Sequence, residues 1–166
     1  LAAFEQLWAE QSSQAPNLVI VGKGGWKTSG LQQRIRSHCE YGKRLYWLNR
    51  VSDEGLCQLY DACRGLLMAS RGEGFGLPII EAAMHGCAVL ARDLPVFREQ
   101  DLPNLQFFDD EHPAALGRRI LALTAVGRST PPANLPTWSD SVDALLQQIG
   151  IPVEERNDRA DLRIAS

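Results

Sequence analysis

The chain alternates short apolar runs with glycine-rich or polar turns and helical stretches, and this alternation restricts the folds open to it. The runs include Leu-Val-Ile-Val within residues 17–22, Leu-Tyr-Trp-Leu at 45–48, Gly-Leu-Leu-Met-Ala at 65–69, Cys-Ala-Val-Leu-Ala at 87–91 and Leu-Gln-Phe-Phe at 105–108. Each run predicts a strand, and the first predicts a buried one. Strands that alternate with helices form βαβ units. The sequence therefore predicts an α/β fold, a Rossmann-like parallel sheet with helices on both faces.

The intervening stretches carry apolar residues at helical spacing. Phe4, Leu7 and Trp8 share one helical face, and Ser52 predicts the start of another helix. The buried stripe of that second helix is expected to comprise Leu56, Leu59, Tyr60 and Cys63. Further helices are predicted over 31–39, 77–85, 114–126 and 138–149. In the last of these, the residues expected to face inward are Val142, Leu145, Leu146 and Ile149.

The domain organisation follows from where this pattern ends. Residues 127–136 are rich in Pro, Ser and Thr and predict a linker before the last helix. After Pro152 charges alternate and large apolar residues are few. We therefore expect residues 1–150 to form one domain and residues 151–166 to form a disordered tail.

Composition excludes several classes of protein. The formal net charge of -3 and the pI near 5.6 give no reason to expect a nucleic-acid partner. No apolar run approaches the roughly 18 residues that span a bilayer, and the first ten residues do not resemble a signal peptide. The four cysteines form no C-x-x-C pair and predict neither a zinc site nor a disulfide framework. They are expected to be small buried residues in a reduced compartment, so we expect a cytoplasmic protein.

The first glycine-rich turn, Gly22-Lys-Gly-Gly-Trp-Lys-Thr, does not match a known phosphate loop. A P-loop requires glycine where this chain has Val21 and Trp26. The dinucleotide-binding fingerprint fails as well, because its spacing and its acidic partner are missing. A flexible turn is the simpler interpretation. Even so, glycines at the carboxyl end of a parallel strand lie at the ligand-binding edge of the sheet.

The second glycine-rich segment, Ser70-Arg-Gly-Glu-Gly-Phe-Gly-Leu-Pro, is more informative. It joins a predicted strand to a helix that Pro78 begins, which is a favoured position for proline. The loop amides and the helix dipole together predict an anion site. Gly74 and Gly76 permit the close backbone approach that a pyrophosphate needs.

Two carboxylates, Glu73 and Glu81, flank this helix start. Carboxylates cannot hold a phosphate, but they accept hydrogen bonds from hydroxyls. A sugar nucleotide offers hydroxyls on both sides of its pyrophosphate, so Glu81 could bind the ribose diol and Glu73 the transferred sugar. The alternative is an ordinary helix start with two solvated acids.

The run from Ser70 to Leu90 resembles the signature of family 4 retaining glycosyltransferases of the GT-B fold. The resemblance extends over residues 18–99 and includes Val51-Ser-Asp-Glu-Gly-Leu and Pro95-Val-Phe-Arg-Glu, and Trp138-Ser-Asp-Ser-Val resembles the closing helix of the family. It implies that Glu73 is the catalytic residue that binds the transferred hexose, that Glu81 binds ribose and that the main chain of Val51 lies at the nucleobase. The backbone contacts to donor phosphates and sugar would come from Gly74, Phe75, Gly76 and Leu77.

For several other residues, two interpretations remain open. The carboxylate of Asp53 could accept from the edge of a guanine, as in similar members that use GDP-mannose, or it could simply be an acid in the first turn of a helix. Arg50 and Arg71 could reach phosphate or be ordinary surface arginines. His85, just before Gly86, is expected to interact with the carboxyl end of its helix.

Family members carry an Arg and a Lys just upstream of the first helix of this domain, and an amino-terminal acceptor domain. Since this chain starts within that helix, we expect a donor-binding half that is inactive alone and whose sheet lacks a strand, which would expose apolar surface. No D-x-D motif is present to hold a metal, so no metal or other cofactor is expected. Helix ends and basic side chains would stabilise the departing nucleoside diphosphate.

The resemblance implies transfer of a hexose, mannose from GDP-mannose, to a growing polysaccharide or glycolipid. The partners implied are the nucleotide sugar and the acceptor domain, with membrane contact only through a lipid-linked acceptor at the inner membrane. Two alternatives remain open at this point: a sugar-nucleotide epimerase of the same architecture, and a flavodoxin-like nucleotide-binding or receiver module. A receiver would show an acidic pair after its first strand, where this chain has Val-Gly-Lys-Gly.

Overall fold

The computed structural model describes residues 1–10, 15–109, 112–132 and 138–150. The chain divides into two compact units, Leu1–Pro132 and Ala133–Ser166. The helices and strands of the first unit are, in chain order, α1 (Ala2–Glu10), β1 (Leu18–Val21), α2 (Ser29–Arg36), β2 (Leu45–Leu48), α3 (Asp53–Ala62), β3 (Leu66–Met68), α4 (Leu77–Met84), β4 (Val89–Arg92), α5 (Pro95–Arg98), β5 (Leu105–Phe108) and α6 (Pro113–Ala125). The second unit contains α7 (Trp138–Gln148).

The strands are parallel, as the sequence predicts, but within the described residues they form two sheets and not one. β1 pairs with β2, with Leu18 opposite Leu45. In the other sheet β4 lies between β3 and β5. No described strand pairs with both β1 and β3, so the expected parallel sheet is observed in two parts over the described residues. The α/β fold class with parallel strands is confirmed.

The strand β1 also departs from the prediction that it is buried. Val19 and Val21 are 41% and 43% exposed, while Leu18 and Ile20 pack against the core. An apolar run shows which residues are able to be buried, and burial on both faces requires a neighbour on each.

Helices cover both faces of the sheet formed by β3, β4 and β5, as predicted. On one face, Phe4, Leu7 and Trp8 of α1 are buried together with Leu90 of β4 and Ile120 of α6. On the other face a second cluster joins α3, α4, β4 and α5, and its buried members are Tyr60, Ile79, Ala82, Cys87, Val89, Ala91 and Phe97. This second cluster positions the segment that the sequence marks as a site.

Helix α3 begins as the sequence predicts, because the Ser52 Oγ accepts a hydrogen bond of 3.2 Å from the backbone N–H of Gly55. Its predicted stripe is only partly buried: Tyr60 is buried, whereas Leu56 and Cys63 are half-buried. Helix α5 was not predicted from periodicity, since four residues are too few to show one.

Several further expectations on burial are wrong. Cys39 and Cys57 are exposed free thiols. The apolar stripe of α7 was expected to face inward, but Val142, Leu145 and Ile149 are exposed and Leu146 is half-buried. Helical periodicity shows which side chains share a face, and it does not show that another element covers that face. The predicted tail, residues 151–166, lies outside the described residues.

No helix in the described residues combines the length and the apolar character needed to cross a membrane.

Candidate functional site

The glycine-rich loop joins the carboxyl end of β3 to the amino end of α4. Gly76 is the N-cap residue of α4 and has left-handed backbone angles, φ 88° and ψ 42°. Only glycine adopts this conformation without steric cost. Pro78 lies in the first turn of the helix, as predicted, and the N–H of Ile79 donates to the Gly76 carbonyl at 2.9 Å.

Helix α5 fixes the shape of this loop. A Cβ atom at Gly76 would lie 2.6 Å from Cε1 of Phe97, and Phe97 is completely buried. The side-chain amide of Gln100 donates to the Phe75 carbonyl. The loop is therefore held by a close backbone approach to α5 and by a hydrogen bond from Gln100, two residues after α5.

The outer side of the loop is open to solvent. Glu73, Gly74, Phe75 and Leu77 are all exposed, and a Cβ atom at Gly74 would meet nothing within 4 Å. The first N–H groups of any helix lack intrahelical acceptors. Exposed backbone thus surrounds the positive end of α4, which is the arrangement that an anion site requires.

Glu81 lies one turn into α4 and is half-buried. Its Oε2 atom accepts a hydrogen bond of 2.9 Å from the Tyr60 hydroxyl. Burial, reinforced by this hydrogen bond, raises the pKa of the Tyr60 hydroxyl well above its ordinary value, so the group stays protonated and donates. The helical spacing predicts a buried Tyr60 but not this role. The available signal was that a buried tyrosine hydroxyl usually finds a hydrogen-bond partner.

An open cleft of about 440 Å³ lies where β1 and β2 end. Its lining residues are Val21, Gly22, Lys23, Asn49, Arg50, Val51, Ser52 and Leu56. The Gly22 carbonyl accepts a hydrogen bond of 2.8 Å from the Trp47 indole N–H, which fixes the turn that forms one wall. The first glycine-rich turn therefore lies at a cleft on this edge, as its position in the sequence predicts.

Helix α3 connects the cleft to the carboxylate of α4. Leu56 lines the cleft, and Tyr60 follows it by four residues, which is about 6 Å along a helix axis. Tyr60 in turn binds Glu81. The structure thus links the cleft at Val51 to Glu81 through a single helix.

The other predicted site residues lie around these features. Asp53 is the first residue of α3 and is exposed beside the cleft, but it is not a lining residue. Glu73 is exposed in the loop and also lies outside the cleft lining. Arg50 lines the cleft, whereas Arg71 does not. His85 is the C-cap residue of α4, as expected, and its Nδ1 lies 2.8 Å from the Asp61 carboxylate.

Comparison with known proteins shows the family. The chain matches the family model described as "Glycosyl transferases group 1" over residues 1–125. The chain therefore belongs to this family, and it is a glycosyltransferase domain. The similarity expected from the run around Glu73 and Glu81 is confirmed at the level of the family.

Curated relatives include bacterial mannosyltransferases. The chain is 42% identical over 156 residues to the serotype-specific mannosyltransferase WbdA of Escherichia coli, which covers 91% of this chain and 19% of the relative. It is 37% identical over 97 residues to the O-antigen chain mannosyltransferase B of Escherichia coli, covering 57% of this chain and 24% of the relative. The chain thus spans about a fifth of the length of the first of these relatives.

The fold is similar to that of a solved structure, the crystal structure of a GtfA/B complex. The TM-score is 0.53 and the identity is 25%, with 76% of this chain and 26% of that chain covered. The expected fold class, one half of a GT-B glycosyltransferase, is confirmed.

Proposed function

We propose that this chain is the donor-binding domain of a retaining mannosyltransferase, which transfers mannose from GDP-mannose to a growing polysaccharide or glycolipid. In this proposal the domain acts with an acceptor domain, uses no divalent metal and meets a membrane only through a lipid-linked acceptor. The transfer of any sugar also requires a donor and an acceptor, as membership of the family implies.

One observation carries this proposal: the exposed glycine loop at the positive end of α4 lies between the carboxylates of Glu73 and Glu81. The loop is exposed at Gly74, Phe75 and Leu77 and is packed against Phe97 at Gly76, which suits a pyrophosphate. Glu81 accepts a hydrogen bond from the Tyr60 hydroxyl and is one turn from the loop, which suits the ribose hydroxyls. Glu73 then lies on the side of the transferred sugar.

The choice of donor has separate support. The relatives at 42% and 37% identity carry the name mannosyltransferase. Val51 lines the open cleft at the start of α3, where the resemblance puts a nucleobase. Lys23 and Arg50 bring positive charge to the same cleft, and positive charge favours a nucleoside diphosphate. Retention of configuration at the transferred sugar is supported by the resemblance of the segment 70–90 to family 4.

Calorimetric titration of the chain with GDP-mannose, UDP-glucose, ADP-glucose and FMN tests the proposal. GDP-mannose is expected to bind most tightly. Glu81→Gln keeps the size of the side chain but removes its charge, and it should weaken GDP-mannose binding about tenfold or more. The matched control is Glu10→Gln, which removes a charge from an exposed position on α1 and should leave the affinity unchanged.

Two results would contradict the proposal. Tight binding of FMN without binding of any sugar nucleotide would favour a flavodoxin-like module. Equal affinities for GDP-mannose in the wild-type chain and in Glu81→Gln would show that the Glu81 carboxylate does not contribute to donor binding.

A further inference from the structure

The hydrogen bond between Tyr60 and Glu81 is a long-range contact between α3 and α4. Tyr60 is only 6% exposed, and its hydroxyl lies 2.9 Å from Oε2 of a residue 21 positions further along the chain. Glu81 itself is half-buried and lies one turn from the glycine loop. The hydroxyl that binds Glu81 thus comes from α3, which is outside both the loop and α4.

The tyrosine ring is fixed from several sides. It stacks on the His85 ring with the centroids 5.6 Å apart and the planes at 29°. His85 Nδ1 lies 2.8 Å from Asp61, the residue that follows Tyr60. The Arg128 guanidinium donates to the main-chain carbonyl of Tyr60 at 3.0 Å. These contacts come from α3, from α4 and from the segment after α6, so the position of the hydroxyl is set by three parts of the fold.

A glutamate carboxylate without such a partner turns easily about its last bond, because that torsion has broad minima. A hydroxyl at a fixed point selects one orientation of the group. A carboxylate has two oxygens and about four acceptor sites. One bond accepted from Tyr60 therefore leaves enough capacity for both hydroxyls of a ribose diol.

We propose that Tyr60 is a positioning residue for donor recognition: its hydroxyl orients the Glu81 carboxylate before the nucleotide arrives, so that the carboxylate is presented to the ribose. This inference rests on the proposed function, in which Glu81 binds the ribose. Tyr60 does not touch the donor and acts through Glu81. Orientation of a binding group in advance reduces the freedom lost on binding and so increases affinity.

The test measures ribose recognition and not simply affinity. Dissociation constants for GDP and for its dideoxy analogue, which lacks both ribose hydroxyls, are determined by calorimetry for the wild-type chain and for Tyr60→Phe. The wild-type chain should prefer GDP by about tenfold or more. Tyr60→Phe keeps the ring and its stacking on His85, and it should reduce that preference about threefold or more, with little change in the affinity for the analogue.

Two controls exclude a general structural effect. Tyr46→Phe removes a hydroxyl that bonds only locally, to the Lys43 carbonyl at 2.6 Å, and should keep the full preference for GDP. In a Glu81→Ala background, Tyr60→Phe should have no further effect on the preference, because the group that it positions is absent.

The possible outcomes separate the two proposals. If Tyr60→Phe weakens GDP and the analogue equally, or changes neither, the positioning role is wrong while the ribose contact stands. If the wild-type chain itself shows no preference for GDP over the analogue, Glu81 does not bind the ribose hydroxyls. The proposed role of Tyr60 is then wrong as well.

Discussion

Gly76→Ala is expected to lower the free energy of unfolding of this chain by about 3 kcal/mol. The residue has φ 88°, and an L residue in the left-handed region costs roughly 1–2 kcal/mol. The added methyl would also lie 2.6 Å from Cε1 of Phe97, which is completely buried. Forcing an extra carbon into a packed core costs about 1–3 kcal/mol.

The measurement is urea unfolding followed by circular dichroism, and the matched control is Gly72→Ala. Gly72 belongs to the same loop, and a Cβ atom there would meet nothing within 4 Å. The control should change the stability by less than about 0.5 kcal/mol. Equal stability of the two variants would show that α5 does not fix the loop. The added methyl group would displace the loop backbone at position 76. We therefore also expect Gly76→Ala to weaken binding of GDP-mannose.

Glu73→Gln is expected to reduce sugar transfer about 100-fold or more. Transfer requires the longer protein of our proposal, in which this domain is joined to an acceptor domain. The Glu73 side chain is exposed at the mouth of the loop, where the proposed sugar lies. A carboxylate there accepts hydrogen bonds from sugar hydroxyls, and such bonds strengthen as the sugar becomes positively charged in the transition state. The amide keeps the shape of the side chain and loses its charge.

The rate constant for mannose transfer from GDP-mannose checks this prediction, with Glu10→Gln as the control. The affinity of Glu73→Gln for GDP alone should match that of the wild-type protein, because GDP carries no sugar for Glu73 to bind. A transfer rate within a few-fold of that of the wild-type protein would show that Glu73 is not required for the reaction. A large loss of GDP affinity in Glu73→Gln would instead indicate that Glu73 contacts the pyrophosphate or the nucleoside.

Local signals predicted much of the fold. The strands over residues 45–48 and 105–108 were predicted with the bounds that the structure gives them, because each is an apolar run bounded by polar residues. Helix α4 was predicted over 77–85 and observed as Leu77–Met84, since Pro78 and Gly86 mark its two ends. Helix α2 was predicted about two residues late, because Ser29 and Gly30 carry no apolar signal.

The features that depend on tertiary neighbours could not be predicted in the same way. The exposure of Val19 and Val21 reflects which strands surround β1, and an apolar pattern holds no information on that point. The bond between Tyr60 and Glu81 joins residues far apart in the chain. The close approach of Gly76 to Phe97 likewise depends on α5, a helix of four residues. The candidate site residues on the loop could be predicted from the sequence because their spacing and residue types are local.

We expect the exposed loop at the start of α4 to bind the pyrophosphate of a sugar nucleotide between Glu73 and Glu81. The most direct measurement is an NMR titration of the isotope-labelled chain with GDP-mannose, read at the backbone amides. Saturable shifts are expected at Gly74, Phe75, Gly76 and Leu77, with further shifts at Val51 beside the cleft. Guanosine, which lacks phosphate, should give much smaller shifts in the loop. Saturable binding that leaves the loop amides unshifted, or equal loop shifts with guanosine, would contradict this expectation.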